Sequence, residues 1–378
     1  MAVLLLFVPA TILAGVLNFP GTLQFFFSVI AIVPLAAFIG SATEALAARL
    51  GARAGGLLNA TFGNAPDLLV GVFGVQKGLI LLVKATLVGA LISNSALIMG
   101  LCYIVAGLRW RNPRFNRHEA GRHSILMMLA IAAFIFPSTG AFVLCRGGSC
   151  AAGPVGRDVL AMSVGIAVIL LLAYGAYVAY GIFGLESLNR SELQGREARF
   201  LHQQHVEPAK AFWPVPFSVL VLVVSAGVLI PVTDTLTSTV AAVTQSLGWS
   251  QVFVGMIIVA NAGNVAEGYA AVKFAIFKRP DAHPGSDTGL DLAFGIASAS
   301  SIQIATFIAP LIFFISLAFH PMNLVFSLVE LAILALLVVI FAHIAEDGEA
   351  NWLEGAQLVA LYGMAAVVFF ALPESAFG

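Results

Sequence analysis

Apolar residues along this chain come in long unbroken runs, each ended by a Pro, a Gly or a cluster of charges. A helix crossing ~30 Å of hydrocarbon at ~1.5 Å per residue needs about 20 such residues. Eleven stretches meet or approach that length: 2–18, 23–48, 57–77, 81–108, 123–144, 158–185, 214–234, 251–277, 288–319, 322–345 and 353–373. The expected fold is therefore all-α and polytopic, with eleven transmembrane helices, the first short and the ninth long. Continuous runs exclude a β-barrel, whose strands alternate apolar and polar residues.

Composition agrees. Of 378 residues 60% are hydrophobic and 10% charged, where a soluble domain carries about 25% charged residues. So much apolar surface calls for a lipid bilayer. A net charge of -1 gives no basic surface for a nucleic acid. The run at 2–19 continues into hydrophobic sequence without a small-residue cleavage site, so no cleavable signal peptide is expected. Basic residues favour cytoplasmic loops. With the N-terminus inside, fourteen of the eighteen Lys and Arg fall on the inside, and Lys77, Lys84, Arg146 and Arg157 fall outside. The chain then runs N-in, C-out. Without targeting signals it is expected in a bacterial inner membrane. Cys102 lies within a span; Cys145 and Cys150 share an outside loop, where a disulfide and two free thiols are equally open.

The most polar segment, 186–212, divides the chain. Before it, Gly63-Asn64-Ala65-Pro66-Asp67 lies in the third span; after it, Gly263-Asn264-Val265-Ala266-Glu267 lies in the eighth. Gly-Asn-x-x-acid thus recurs 200 residues apart, each time in the second helix of a five-helix set. An odd number of spans per set inverts the second copy. The expected layout is an extra helix at 1–22, a first inverted repeat at 23–185, a cytoplasmic linker at 186–212 and a second repeat at 213–378. Secondary transporters of this architecture place their ion sites near the midplane on broken helices.

A carboxylate at that depth normally faces a cavity or a partner. Asn64 with Asp67, and Asn264 with Glu267, stand at i and i+3 on one helix face. Gly63 and Gly263 allow close backbone approach, and Pro66, lacking an N–H, frees the carbonyl of Phe62. The next helices add Ser93 and Asn94, and Ser300 and Gln303. An all-oxygen set with two negative charges suits a hard divalent cation such as Ca²⁺ and disfavours soft metals. Metal and protons would compete for the same oxygens, so the substrates are a cation and protons, with no resident cofactor. Glu44 and Glu330 are candidates for a proton pathway, although ion pairing serves as well for Glu44. A buried acid pair can also merely clamp helices, and Ser and Asn in spans often only bond neighbouring helices.

These motifs resemble the Ca²⁺/H⁺ antiporter family of the cation/Ca²⁺ exchanger superfamily, over nearly the whole chain. Gly55 to Asn64 is similar to the family's first repeat motif, Gly263 to Glu267 to its second, and Glu346-Asp347-Gly348-Glu349-Ala350-Asn351-Trp352-Leu353-Glu354-Gly355 to its last loop. The resemblance implies eleven spans, Asp67 and Glu267 as the Ca²⁺/H⁺ site, and export of cytosolic Ca²⁺ driven by protons. Three positions depart from the family: Asp67 replaces Glu, Gly268 replaces His, and Ala299-Ser300-Ser301-Ile302-Gln303 replaces Gly-Ser-x-Thr-Gln. Alternatives are an Na⁺ or K⁺/H⁺ antiporter, an Na⁺/Ca²⁺ exchanger and, more distantly, a cation channel. No Asp pair in a protease context, Ser/His pair at matched depth or His-Glu-x-x-His helix suggests an enzyme. Oligomeric state is left open, a homo-oligomer included.

Overall fold

The computed structural model describes residues 2–50, 58, 61–110, 113–115, 117–144, 154–183, 213–276 and 289–377. Among these nearly every residue is helical, and β pairing is limited to an isolated bridge between Arg114 and Glu349. In chain order the helices are α1 (Phe7–Val16), α2 (Gly21–Leu50), α3 (Ala65–Gln76), α4 (Ile80–Trp110), α5 (Arg117–Leu144), α6 (Pro154–Phe183), α7 (Val215–Leu247), α8 (Gln251–Ile276), α9 (Leu290–Ser316), α10 (Leu328–Asp347) and α11 (Trp352–Ala371). Eight contain stretches long and apolar enough to cross a bilayer; the apolar stretches at Val3–Val16, Ala65–Gln76 and Leu328–Ile344 are shorter. The chain is an integral membrane protein. The linker at 186–212, Cys145 and Cys150 lie outside the described residues.

Three boundaries differ from the hydropathy reading. Within 57–77, described helix at 61–62 gives way to a turn at Gly63 and Asn64, and α3 starts at Ala65. Pro66 supplies no N–H to the preceding turn, so the helix must restart there. The run at 214–234 continues as helix to Leu247. Thr237, Ser238, Thr239 and Thr244 return their hydroxyls to carbonyls three or four residues back, which lets polar residues extend the helix. The stretch at 322–345 is non-helical until Leu328, where Ser327 and Glu330 form a capping box.

Helices α2 and α7 run antiparallel: Gly21 abuts Ala242 and Phe38 stacks on Trp213. They share a core of Phe25, Ile32, Leu229 and Val240, joined by Ala65, Val70, Val259 and Ala262 from α3 and α8. A second and larger core holds Leu91, Tyr103, Phe134, Phe294, Phe313 and Phe369. Both motif segments lie where the two cores meet. There α4 and α8 touch backbone to backbone: a Cβ on Gly89 would stand 2.3 Å from the Met256 carbonyl oxygen, and one on Gly255 2.8 Å from that of Leu82. Glycine at both positions permits this approach. Around the same level three spans loosen into π-helix, at Ser93–Ile98, Val254–Val259 and Ile304–Ile308. Such segments free backbone carbonyls and recur at functional sites.

Candidate cation site

Asp67 lies in the first turn of α3, where the helix N-terminus favours a negative charge. Its Oδ1 rests 3.1 Å from where a Cβ on Gly263 would stand. Gly263 precedes Glu267 by one turn of α8, and the two carboxylates lie in direct Coulombic range. Asp67 is buried, and Glu267 is half-buried with its Oε2 enclosed. The structure therefore brings the two motif acids together across the α3–α8 contact.

Polar side chains from α4 and α9 complete the surround. Asn64 donates from Nδ2 to Gln303 Oε1 at 2.7 Å. Its Oδ1 accepts from Ser300 Oγ at 3.1 Å, and Ser300 also lies near the Glu267 carboxylate. A serine has one proton, so its hydroxyl serves one of these acceptors at a time. Asn94 Nδ2 donates to Ser300 Oγ at 2.9 Å, and Ser95 meets Ser301 at 3.0 Å. Asn264 donates to the Ala90 carbonyl at 3.5 Å. Two enclosed acceptors, Asn94 Oδ1 and Glu267 Oε2, have no hydrogen-bond partner among the described residues. Buried oxygens are rarely left so, and acceptors without donors suit a cation. Among the described residues no three His, Cys, Asp or Glu side chains converge on one point. The oxygens at hand are thus two carboxylates with amides, hydroxyls and carbonyls.

Of the expected site residues, Asp67, Glu267, Asn64, Gly263, Asn94, Ser300 and Gln303 meet in this network, with Gly63 at the chain break and Asn264 at its margin. Ser93 turns aside, donating to Asn261 Oδ1 at 2.7 Å. Asn261 went unnoticed in the sequence. Its Nδ2 serves Ile257 O at 2.6 Å, inside the π segment, and the Tyr362 hydroxyl at 2.5 Å. It lies three and six residues before Asn264 and Glu267, a helical stripe that the sequence does display. Glu44 and Glu330 stand elsewhere. Glu44 is exposed on α2, facing Lys273. Glu330 Oε2 accepts from the backbone N–H and the hydroxyl of Ser327, both at 2.8 Å, beside Lys84, whose Nζ donates to Asn323 Oδ1 and the Val325 carbonyl at 2.7 Å.

The chain belongs to the sodium/calcium exchanger protein family, whose sequence model matches residues 20–183 and 217–371. Among its relatives, the Ca²⁺/H⁺ antiporter ChaA of Bacillus subtilis is 34% identical over 367 residues, 97% of each protein. A Ca²⁺/H⁺ antiporter of Synechocystis is 34% identical over 98% of this chain and 97% of its own. The solved structure of native YfkE superposes with a TM-score of 0.77 at 33% identity, covering 97% of both chains. The H⁺/Ca²⁺ exchanger CAX shares the fold, with a TM-score of 0.70 at 13% identity over 98% of this chain and 91% of that one.

Proposed function

We propose that this protein is a secondary transporter exchanging Ca²⁺ for H⁺, and that Asp67 and Glu267 bind both in turn. The observation that carries this reading is the opposition of two carboxylates, one from each motif, with Glu267 Oε2 and the neighbouring Asn94 Oδ1 both enclosed without a donor among the described residues. A divalent ion balances both charges; protons balance them equally well. The empty, fully charged pocket is the costly state, because adjacent like charges repel and little water reaches them. A carrier that reorients only when its pocket is neutralised exchanges one substrate for the other. Asn64, held by Gln303 and Ser300, presents its amide to the pocket, while Asn94 Oδ1 and the π-segment carbonyls offer further neutral oxygens of the kind Ca²⁺ takes.

Three further expectations belong to this reading. All eleven helices cross the bilayer as two inverted five-helix repeats after an extra α1. The chain lies N-in, C-out in a bacterial inner membrane. Its chemistry is that of a carrier and not of a catalyst. The recurrence of Gly-Asn-x-x-acid at the start of α3 and within α8, 200 residues apart, supports the repeat.

The test is Ca²⁺ uptake by everted vesicles. Asp67→Asn and Glu267→Gln should each abolish exchange while folded protein stays in the membrane, and Asp67→Glu should retain it. Normal transport by either of the first two variants rules out the acid pair. A Ca²⁺ flux driven by Na⁺ and indifferent to a proton ionophore removes the proton from the scheme.

A further inference from the structure

The charged residues outside the site fall into a pattern of their own. Lys77 ends α3, ten residues after Asp67, and reaches across to α7. Its three N–H donors are shared among four oxygens, Asp234 Oδ1 at 2.6 Å, the Asp234 carbonyl at 2.7 Å, Thr237 Oγ1 at 2.8 Å and Ser238 Oγ at 2.6 Å. Lys273 stands in the last turn of α8, six residues after Glu267. It faces Glu44 of α2 across the α2–α8 packing, in Coulombic range but without a direct ion pair. The two pairs have the same build. Each sets a lysine at the C-terminal end of a motif helix against a carboxylate on the long helix, α2 or α7, from the other half of the chain.

Helix rise locates them. Counting at ~1.5 Å per residue from the contact of Gly21 with Ala242, Asp234 stands about 12 Å and Glu44 about 35 Å along the α2–α7 pair. That separates them by roughly 23 Å. Along the motif helices, Lys77 lies about 15 Å past Asp67 and Lys273 about 9 Å past Glu267. With Asp67 against Gly263, ten residues before Lys273, and the helices opposed, the lysines stand about 30 Å apart by the same rise. Both counts separate the pairs by more than about 20 Å, on opposite sides of the acid pair.

We propose that Lys77–Asp234 and Lys273–Glu44 are the alternating tethers of the transport cycle, each closing the pocket toward one face while the other is parted. The inference rests on the exchange function proposed above. In this structure the first tether is made and the second is open, so the pocket is closed at the Lys77 end. The moving body is α2 with α7, which share a core separate from that of most of the other helices. Both pairs are solvent-exposed, so each biases the two states modestly, by up to about fivefold.

The test uses the full chain in proteoliposomes of known orientation, with Ca²⁺ half-saturation measured from each face. Lys77→Met should lower half-saturation at the Lys77 face by roughly twofold to fivefold and raise it at the other face. Glu44→Gln should do the reverse, and the exchanged pair Lys77→Asp with Asp234→Lys should restore parental values. Shifts in the same direction, no shift in either variant, or an exchanged pair that fails to restore would overturn the proposal. If Lys77→Met does not reach the membrane, Asp234→Asn, which breaks the same pair, is measured in its place and must show the same opposite shifts. Asp67→Asn is run alongside. Exchange persisting there defeats the site itself, whereas an inactive Asp67→Asn with unshifted tether variants defeats only the tethers.

Discussion

Gly268 directly follows Glu267, and its missing side chain is answered by a neighbour. A Cβ at 268 would stand 3.1 Å from Ile98 Cδ1 and 3.2 Å from Cγ1. Ile98 is buried in the larger core, at the end of the π segment of α4. A Gly268→His substitution therefore drives an imidazole into the volume of Ile98, and overpacking of this kind costs about 1–3 kcal/mol. Ile98→Ala alone empties that volume and costs about 2–5 kcal/mol. Made together, the ring takes the place of the lost side chain, so the double variant should fall short of the summed losses by about 1–3 kcal/mol. Thermal unfolding of the four purified proteins in detergent measures this directly. Full additivity would refute the claim that one volume is shared. The double variant should also change the chemistry. An imidazole titrates near pH 6.5, and as pH falls through that value its positive charge beside Glu267 opposes Ca²⁺. Exchange in proteoliposomes should then lose rate between about pH 7.5 and 6 in a step that Ile98→Ala alone lacks.

Gln303→Leu leaves Asn64 Nδ2 without its acceptor and frees the amide to turn, so Ca²⁺ half-saturation should rise about threefold to tenfold, the equivalent of one neutral hydrogen bond. An unchanged value would show that Gln303 does not orient Asn64. Gly89→Ala must part α4 from α8 by about 1 Å to relieve its contact with Met256, at a cost of about 1–3 kcal/mol. Lower thermal stability and weaker Ca²⁺ binding should appear together, because the Asn264–Ala90 and Ser93–Asn261 contacts lie within a turn or two; parental behaviour in both would contradict that packing. Glu330→Gln keeps an acceptor for Ser327 but removes the charge facing Lys84. Unfolding free energy should fall by about 1–3 kcal/mol while exchange persists. Loss of exchange by well-folded Glu330→Gln would place this carboxylate on the proton route.

Much of this arrangement was legible because lipid permits so few solutions. Apolar runs locate helices to within a few residues where Gly, Pro or charge ends them, as at Gly21, Gln251 and Leu290. The two Gly-Asn-x-x-acid copies identify the acids without any structure, since a carboxylate inside a span needs a reason. Hydropathy failed where polarity is satisfied locally. The threonines from Thr235 onward resemble a loop, yet their hydroxyls bond their own helix and α7 runs on to Leu247. Glu330 resembles a buried acid in mid-helix, yet it caps Ser327. The π segments leave no trace in hydrophobic pattern, because inserting a residue changes carbonyl partners more than side-chain polarity. Tyr362 could not have been connected with Asn261, since only tertiary packing brings α11 against α8. Lys77 and Asp234, far apart in sequence, likewise meet only through that packing.

The two motif copies are alike in sequence and unlike in structure, and the difference traces to single residues. Pro66 in the first copy stands where Ala266 stands in the second. The first copy therefore breaks into a turn and restarts as α3, while the second runs unbroken through α8 with its irregularity displaced to the π segment before it. The shorter acid, Asp67, belongs to the broken helix and lies against the α8 backbone at Gly263. The longer acid, Glu267, belongs to the intact helix. One methylene fewer in the side chain is thus met by closer backbone approach. Support is unequal in the same sense. Asn64 is held at both ends of its amide, by Gln303 and Ser300, whereas Asn264 has one contact at 3.5 Å and Glu267 keeps an oxygen without a donor. On the exchange mechanism proposed above, a cation arriving between the copies would meet one fixed wall, from Asn64 to Asp67, and one loosely held wall, from Asn264 to Glu267. Grasp and release would then fall to the α8 side, where the side chain is longer and the hydrogen bonds among the described residues that resist its movement are fewer.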